Sequence, residues 1–315
     1  MSNVFNMELR AQQEWSWLLA IWLFLGGTGG GLFLLFLAFE LSPTYGAVAL
    51  GLIMVGGVVL LLELGNPLRV WRTVSRPGTS WLSRGVFFVL IFIASSIVVI
   101  VPKLGVVPWL SPLTTGLAVQ LLGWVAGLCA LMIVLYPAFF FLSTSRAIPF
   151  WNSPLLPLLF VGYALLGGAG CGLLLSLIAS IPAQIETLAV TMILVNAAMI
   201  LIYFVTMYRA GGSAQESVRM LNRSPLGLMF WIGVVAVGMI LPLVEILLVR
   251  LSLAAAGAFI LIGGLLFRYC LLKAGVYIAP ALVEADFDLR KLNRTSTEFE
   301  REYASMGTQG AGRSG

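Results

Sequence analysis

The chain contains no histidine. Membrane-bound b-type haems take imidazole as axial ligand, so a bis-histidine haem is excluded, together with His-based metal sites and His proton relays. Cysteine is scarce. Cys129, Cys171 and Cys270 are scattered through apolar stretches and form no CxxC pair. That spacing argues against a zinc site, an iron–sulfur cluster or a disulfide framework, and reads as small buried core residues. Charge is sparse too: 10% of residues are charged and 60% are hydrophobic. A mean hydropathy of +1.02 is more apolar surface than a soluble domain can bury. The expected class is an all-α polytopic membrane protein.

A bilayer span needs about 20 mostly apolar residues. Eight such segments are present, at 15–39, 46–64, 86–101, 116–142, 155–181, 188–208, 226–248 and 251–273. They divide the chain into an N-terminal segment (1–14), an eight-helix transmembrane domain (15–279) and a polar C-terminal tail (280–315). The N-terminus has no short apolar core followed by a small-residue cleavage site, so the first span is expected to be retained. A net charge of +5 and a pI near 9.3 do not point to nucleic acid, because the basic residues sit at the ends of apolar spans. Of the 18 basic residues, 16 fall on the side that holds both termini, leaving Lys103 and Arg250 opposite. The positive-inside rule then predicts both termini in the cytoplasm of a cytoplasmic (inner) membrane.

Two short segments echo each other. GGTGGGLFL (Gly26–Leu34) and GGAGCGLLL (Gly167–Leu175) match as GGxGxGLxL, four spans apart and equally oriented. This suggests two four-helix units related as parallel repeats. A dinucleotide fingerprint is rejected, since it requires a strand before the glycines and these lie inside apolar spans. Glycines there let helix backbones approach closely, or leave a slot for a flat ligand.

Ionisable groups within or at the edge of a bilayer are expensive, so each is a functional candidate. Glu40 and Glu186 fall near the non-cytoplasmic ends of their spans, where interfacial solvation also accounts for them. Glu63 ends the second span beside Arg69, Arg72, Arg76 and Arg84, as a functional acid or a cap or ion pair of that loop. Glu245 and Arg268 lie within the seventh and eighth spans, at heights that do not suit a direct pair. Tyr136, before Pro137, can donate a hydrogen bond in an apolar pocket or serve as an interfacial aromatic.

Four motifs taken together resemble the NrfD family, the membrane subunits of polysulfide-reductase-type complexes. They are ELGNPLRVW (Glu63–Trp71), SWLSRG (Ser80–Gly85), YPAFFFLSTSRAIPFWNSPLLPLLF (Tyr136–Phe160) and GGLLFRYCLLKAG (Gly263–Gly275). The resemblance spans nearly all of 15–279. It implies an eight-helix subunit with no haem or iron–sulfur cluster of its own. Such a subunit exchanges electrons between the membrane quinone pool, menaquinone or ubiquinone, and a docked ferredoxin-like iron–sulfur subunit. That partner serves a catalytic subunit, often a molybdopterin enzyme. Within the family a quinone pocket is built on a Tyr followed by Pro, matched by Tyr136 and Pro137. It also uses an Asn and a His early in the first span, where this chain has Leu19 and Trp22. The implied quinone-binding set is Tyr136, Trp22 stacking on or walling the ring, and Glu63 as the nearest acid. Glu63 is the expected proton carrier, with Glu245, Arg268, Glu40 and Glu186 as a second path across the bilayer. Arg69, Arg72, Arg76 and Arg84 are expected to dock the cluster subunit, on the cytoplasmic side by the charge bias. A secondary transporter and a passive membrane anchor remain the alternative readings.

Overall fold

The computed structural model describes residues 11–15, 17–63, 81–105, 116–144 and 147–277, the side chains of 81, 82 and 144 excepted. Residues 11–276 form one compact unit. Among the described residues, eight helices are long and apolar enough to cross a membrane, and the chain is a multi-pass, all-helical membrane protein.

The crossing helices are α1 (Trp17–Ala38), α2 (Pro43–Glu63), α3 (Trp81–Ile100) and α4 (Leu117–Thr144). The second set is α5 (Leu155–Leu174), α6 (Ala183–Ala210), α8 (Pro225–Val249) and α9 (Leu253–Lys273). Between α6 and α8 lies a short helix, α7 (Gly212–Arg223), which contains no apolar run of bilayer length. Its alternation is amphipathic. Ser213, Ala214, Ser217, Val218 and Leu221 face inward while Arg219 and Arg223 face out. Gly211, at φ +72°, makes the sharp turn that separates it from α6.

The ends are set by local chemistry. Ser224 caps the start of α8 through its side-chain oxygen, which accepts from the Leu226 amide at 3.1 Å, and Pro225 occupies the first helical position. Ser252 caps α9 in the same way, accepting from the Ala255 amide at 3.2 Å. The connection between α8 and α9 turns at Arg250, a non-glycine residue at φ +53°. Within α8, Met229–Ile240 and Glu245–Val249 wind with the wider i→i+5 bonding, on either side of a turn holding Pro242, which has no N–H to donate.

In lipid, helices gain nothing from leaving water, and association rests on close packing. α1 and α5 are the inner pair. α1 packs against α2, α4, α5 and α9, and α5 against α1, α4, α6 and α9. The two glycine motifs meet each other here. A Cβ on Gly31 would strike the Ala164 carbonyl, one on Gly168 would strike the backbone at Gly31 and Leu32, and Gly167 abuts Thr28. α8 and α9 touch in the same manner at Gly238 and Gly263. The three cysteines are buried, in α4, α5 and α9.

Candidate functional site

Tyr136 on α4 and Trp22 on α1 are 114 residues apart and meet in the interior. The Trp22 indole Nε1 donates to the Tyr136 hydroxyl oxygen at 3.1 Å. The two side chains are 5% and 2% exposed, respectively. Because the phenol oxygen accepts this bond, its own O–H is left to donate, and it has no acceptor among the described residues. Pro137 follows inside the helix and frees the carbonyl four residues earlier, that of Ile133, from its usual partner.

Two cavities border this pair. The larger, about 560 Å³, runs between α2 and α3 and is walled by Ile53, Met54, Val58, Val89 and Ile93, with Trp22 and Tyr136 at its inner end. Met54, Val55, Val58 and Leu90 on its walls are solvent-exposed in the isolated chain, so the cleft opens sideways on the surface that faces lipid. The smaller, about 160 Å³, is lined by Glu63 and Tyr136 together with Trp15, Leu19, Trp22 and Phe140. Trp22, Leu60 and Tyr136 border both. The three residues expected from the sequence to form one pocket, Tyr136, Trp22 and Glu63, thus line one chamber. Leu19 also lines it and brings no polar atom, so Trp22 is the source of the side-chain hydrogen bond on α1.

Trp15 and Phe141, which line the smaller chamber, belong to an aromatic cluster. Trp15 stacks on Trp151 with ring centres 4.9 Å apart and planes 9° apart, and Phe141 packs against both. Trp151 donates from Nε1 to the Leu271 carbonyl at 3.0 Å and lies over Gly275, where a Cβ would come within 2.5 Å of its ring. Phe150, beside it, accepts a hydrogen bond from the Tyr203 hydroxyl at its carbonyl. The segment before α1 is tied down by Gln12, whose amide nitrogen donates to Leu272 O at 3.0 Å while its backbone N–H donates to Gly275 O at 2.8 Å. PFWN and the Ala-Gly after α9, distant in sequence, are therefore two halves of one contact. Trp15, Phe140 and Phe141 line the chamber, and sequence reasoning misses them. The FFF run after Tyr-Pro is the available signal.

A family model described as "Polysulphide reductase, NrfD" matches residues 6–280. The chain belongs to the NrfD family. It is 26% identical to the C subunit of polysulfide reductase from Wolinella succinogenes over 298 residues, covering 85% of this chain and 93% of that protein. It is 27% identical to protein NrfD of Escherichia coli K12, covering 83% of this chain and 94% of the other.

The remaining candidate residues of this NrfD-family chain are dispersed. Arg69, Arg72 and Arg76 lie outside the described residues. Arg84 is half-buried in the first turn of α3. Two acids of the opposite end have local partners. Glu186, in the first turn of α6, pairs with Arg250 at 3.6 Å. Glu245 accepts from the Ser252 amide at 2.5 Å and so ties α8 to α9. Glu40, in the turn after α1 at φ +49°, lines a surface cleft with Lys103 and Gln120. Arg268 is apart from all three. It is 3% exposed, with its guanidinium 4.0 Å from the Phe160 ring centre and Nη2 donating to Phe160 O at 3.4 Å. Nη1 and the neighbouring Tyr163 hydroxyl have no hydrogen-bond partner among the described residues. No carboxylate pairs with Arg268 among them either.

Proposed function

We propose that this chain is the quinone-reactive membrane subunit of a respiratory oxidoreductase complex, with its site at the Trp22–Tyr136 pair. The observation that carries the reading is the position of that pair. A side-chain hydrogen bond at the inner end of an apolar, laterally open cleft leaves a phenol proton free to donate. A quinone needs both features: an apolar groove for its isoprenoid tail and a directed donor for a carbonyl oxygen. A volume of about 560 Å³ is within the usual range for small-molecule sites. The relatives named for polysulfide reductase and NrfD support assignment to a redox complex.

In this reading a quinol slides in from the bilayer between α2 and α3. Tyr136 donates to one ring oxygen and Trp22 holds Tyr136 in the donating orientation. Oxidation of the quinol to quinone releases two electrons and two protons, by the stoichiometry of the couple. The electrons go singly to a docked ferredoxin-like iron–sulfur subunit, which passes them to a catalytic subunit. Glu63, in the smaller chamber, relays the protons one at a time, and quinone reduction runs through the same groups in reverse. The arginine-rich loop containing Arg69, Arg72 and Arg76, with Arg84 at its end, supplies the docking face. By the charge bias that face is cytoplasmic. The second proton path is carried in this reading by Arg268, with Glu40, Glu186 and Glu245 at the far end.

The test is to purify the complex through this subunit, reduce it with a short-chain quinol and follow the partner's iron–sulfur signals by electron paramagnetic resonance. Slower reduction in Tyr136→Phe, with the complex intact, supports the reading. Co-purified clusters that do not respond to quinol, or a variant as fast as wild type, overturn it.

A further inference from the structure

Gly85 and Gly56, both outside the repeated motif, touch rings rather than backbone. At Gly85, in the first turns of α3, the three atoms nearest to an added Cβ are all ring carbons of Tyr136: Cε2 at 2.5 Å, Cζ at 2.7 Å and Cδ2 at 2.9 Å. At Gly56, on α2, a Cβ would lie 2.9 Å from Trp22 Cε3 and 3.2 Å from Cζ3. Real Cβ atoms essentially never sit closer than 3.0 Å to a heavy atom, so at both positions something must shift. Four of the motif glycines differ in kind. Gly29, Gly30, Gly31 and Gly168 meet backbone atoms of a neighbouring helix, which is the ordinary use of glycine in a membrane bundle. Glycine on α2 is not uniformly a packing device either, since Gly51 and Gly57 have nothing within 4 Å of a Cβ.

We propose that Gly85 and Gly56 are positioning residues for the quinone site, setting from α3 the ring of Tyr136 and from α2 that of Trp22 so that the indole N–H meets the phenol oxygen. The inference rests on the quinone reading above. Buried flat rings cannot turn away from a new methyl without losing other contacts, because interiors are close-packed. A methyl at position 85 pushes on the ring edge that bears the hydroxyl, since Cε2 and Cζ are the atoms it meets. The hydroxyl then leaves the line of the 3.1 Å bond. Gly85 lines the cleft but has no side chain to offer a quinone, and the atoms an added Cβ meets first are those of Tyr136.

The experiment uses the intact complex carrying Gly85→Ala, with Gly51→Ala as control, each made in wild-type and Tyr136→Phe backgrounds. Turnover is driven by a short-chain quinol over a concentration series, and thermal stability is recorded in parallel. Gly85→Ala is expected to lower kcat by ~10-fold, the effect of roughly one hydrogen bond on a barrier. In the Tyr136→Phe background it adds less than about twofold, since non-additivity marks two changes acting through one group. Gly51→Ala is expected to match its parent in both backgrounds. A Gly85→Ala complex as active as Gly51→Ala, with Tyr136→Phe still slow, overturns the inference and leaves the site standing. Equal slowing in both backgrounds also overturns it, because a purely structural defect behaves that way. A Tyr136→Phe complex as fast as wild type overturns the site and this inference with it. If Gly85→Ala does not assemble, the milder Gly56→Ala, read against Trp22→Phe by the same criteria, decides the question.

Discussion

Gly31 on α1 sits against the carbonyl oxygen of Ala164 on α5, with no space for a Cβ between them. One turn on, Gly168 meets the backbone of Gly31 and Leu32, so the two copies of the repeated glycine motif come into contact. In a bilayer such an approach replaces the hydrophobic drive with dispersion contacts, each small and collectively large.

Gly31→Leu should therefore separate the two inner helices. Overpacking costs about 1–3 kcal/mol at an ordinary site, and more where the obstacle is backbone. We expect a loss of monodisperse protein on size-exclusion chromatography in detergent. Gly57→Ala, in open space on α2, should elute like wild type.

Trp22→Phe retains a ring and deletes the indole N–H that reaches Tyr136. A buried hydrogen bond of this kind contributes about 0.5–1.5 kcal/mol net, so only a small drop in melting temperature is expected. Quinol turnover should fall several-fold further than stability suggests, because the phenol loses its orientation. A turnover equal to wild type would remove Trp22 from the site.

Val58 and Val89 both line the lateral cleft between α2 and α3. Val58→Trp should narrow the tail groove without touching the hydrogen-bonded pair. The expected result is a raised KM for a long-tailed quinol, little change for a tail-less analogue, and an unchanged kcat, the pattern of lost uniform binding. Equal effects on both quinols would place the tail elsewhere.

Glu186 and Glu245 are both acids of the same end, yet their removal should differ. Arg250, the partner of Glu186, has a side chain 69% exposed, and exposed pairs contribute about 0–1 kcal/mol. Glu186→Gln should scarcely move the melting temperature. Glu245 accepts from the backbone N–H of Ser252 at the turn into α9, a charge-assisted bond of about 1.5–3 kcal/mol. Glu245→Ala should lower the melting temperature clearly, with Glu245→Gln in between.

Arg268 stacks on Phe160 with no acidic partner among the described residues. Much of its interaction is packing, as is usual for long cationic stems. Arg268→Met should keep the fold, since an apolar side chain of similar volume often replaces a buried charge at no loss. Arg268→Ala should destabilise by about 2–4 kcal/mol through the cavity it leaves. A measured order of Met below Ala would mean that the charge itself holds the helices.

Much of the architecture is legible without coordinates. Span lengths follow from bilayer thickness, so apolar runs are enough to count eight crossings and to place a turn near Arg250 between the last two. α7 escapes that reading although its pattern is plain, because an amphipathic helix of twelve residues has no apolar run to find. Tyr136 follows from the family resemblance, Trp22 from a position where this chain departs from it and Glu63 from its charge at the end of a span, and all three line one chamber. The partner relationship inside that chamber is not readable from sequence. Trp22, expected as a wall of the ring, has a polar contact, made by the edge of its indole.

The sequence by itself determined the class of this protein. Absent histidine ruled out a resident bis-histidine haem, and apolar runs of bilayer length dictated helices. Only the tertiary structure decided which surfaces meet. In water a helix advertises its inner face, because the outer one must be polar. In lipid both faces are apolar, and no periodicity separates them. That Gly31 serves a backbone while Gly85 accommodates a ring, and that Trp151 rests on Gly275, is decided by helices crossing in three dimensions.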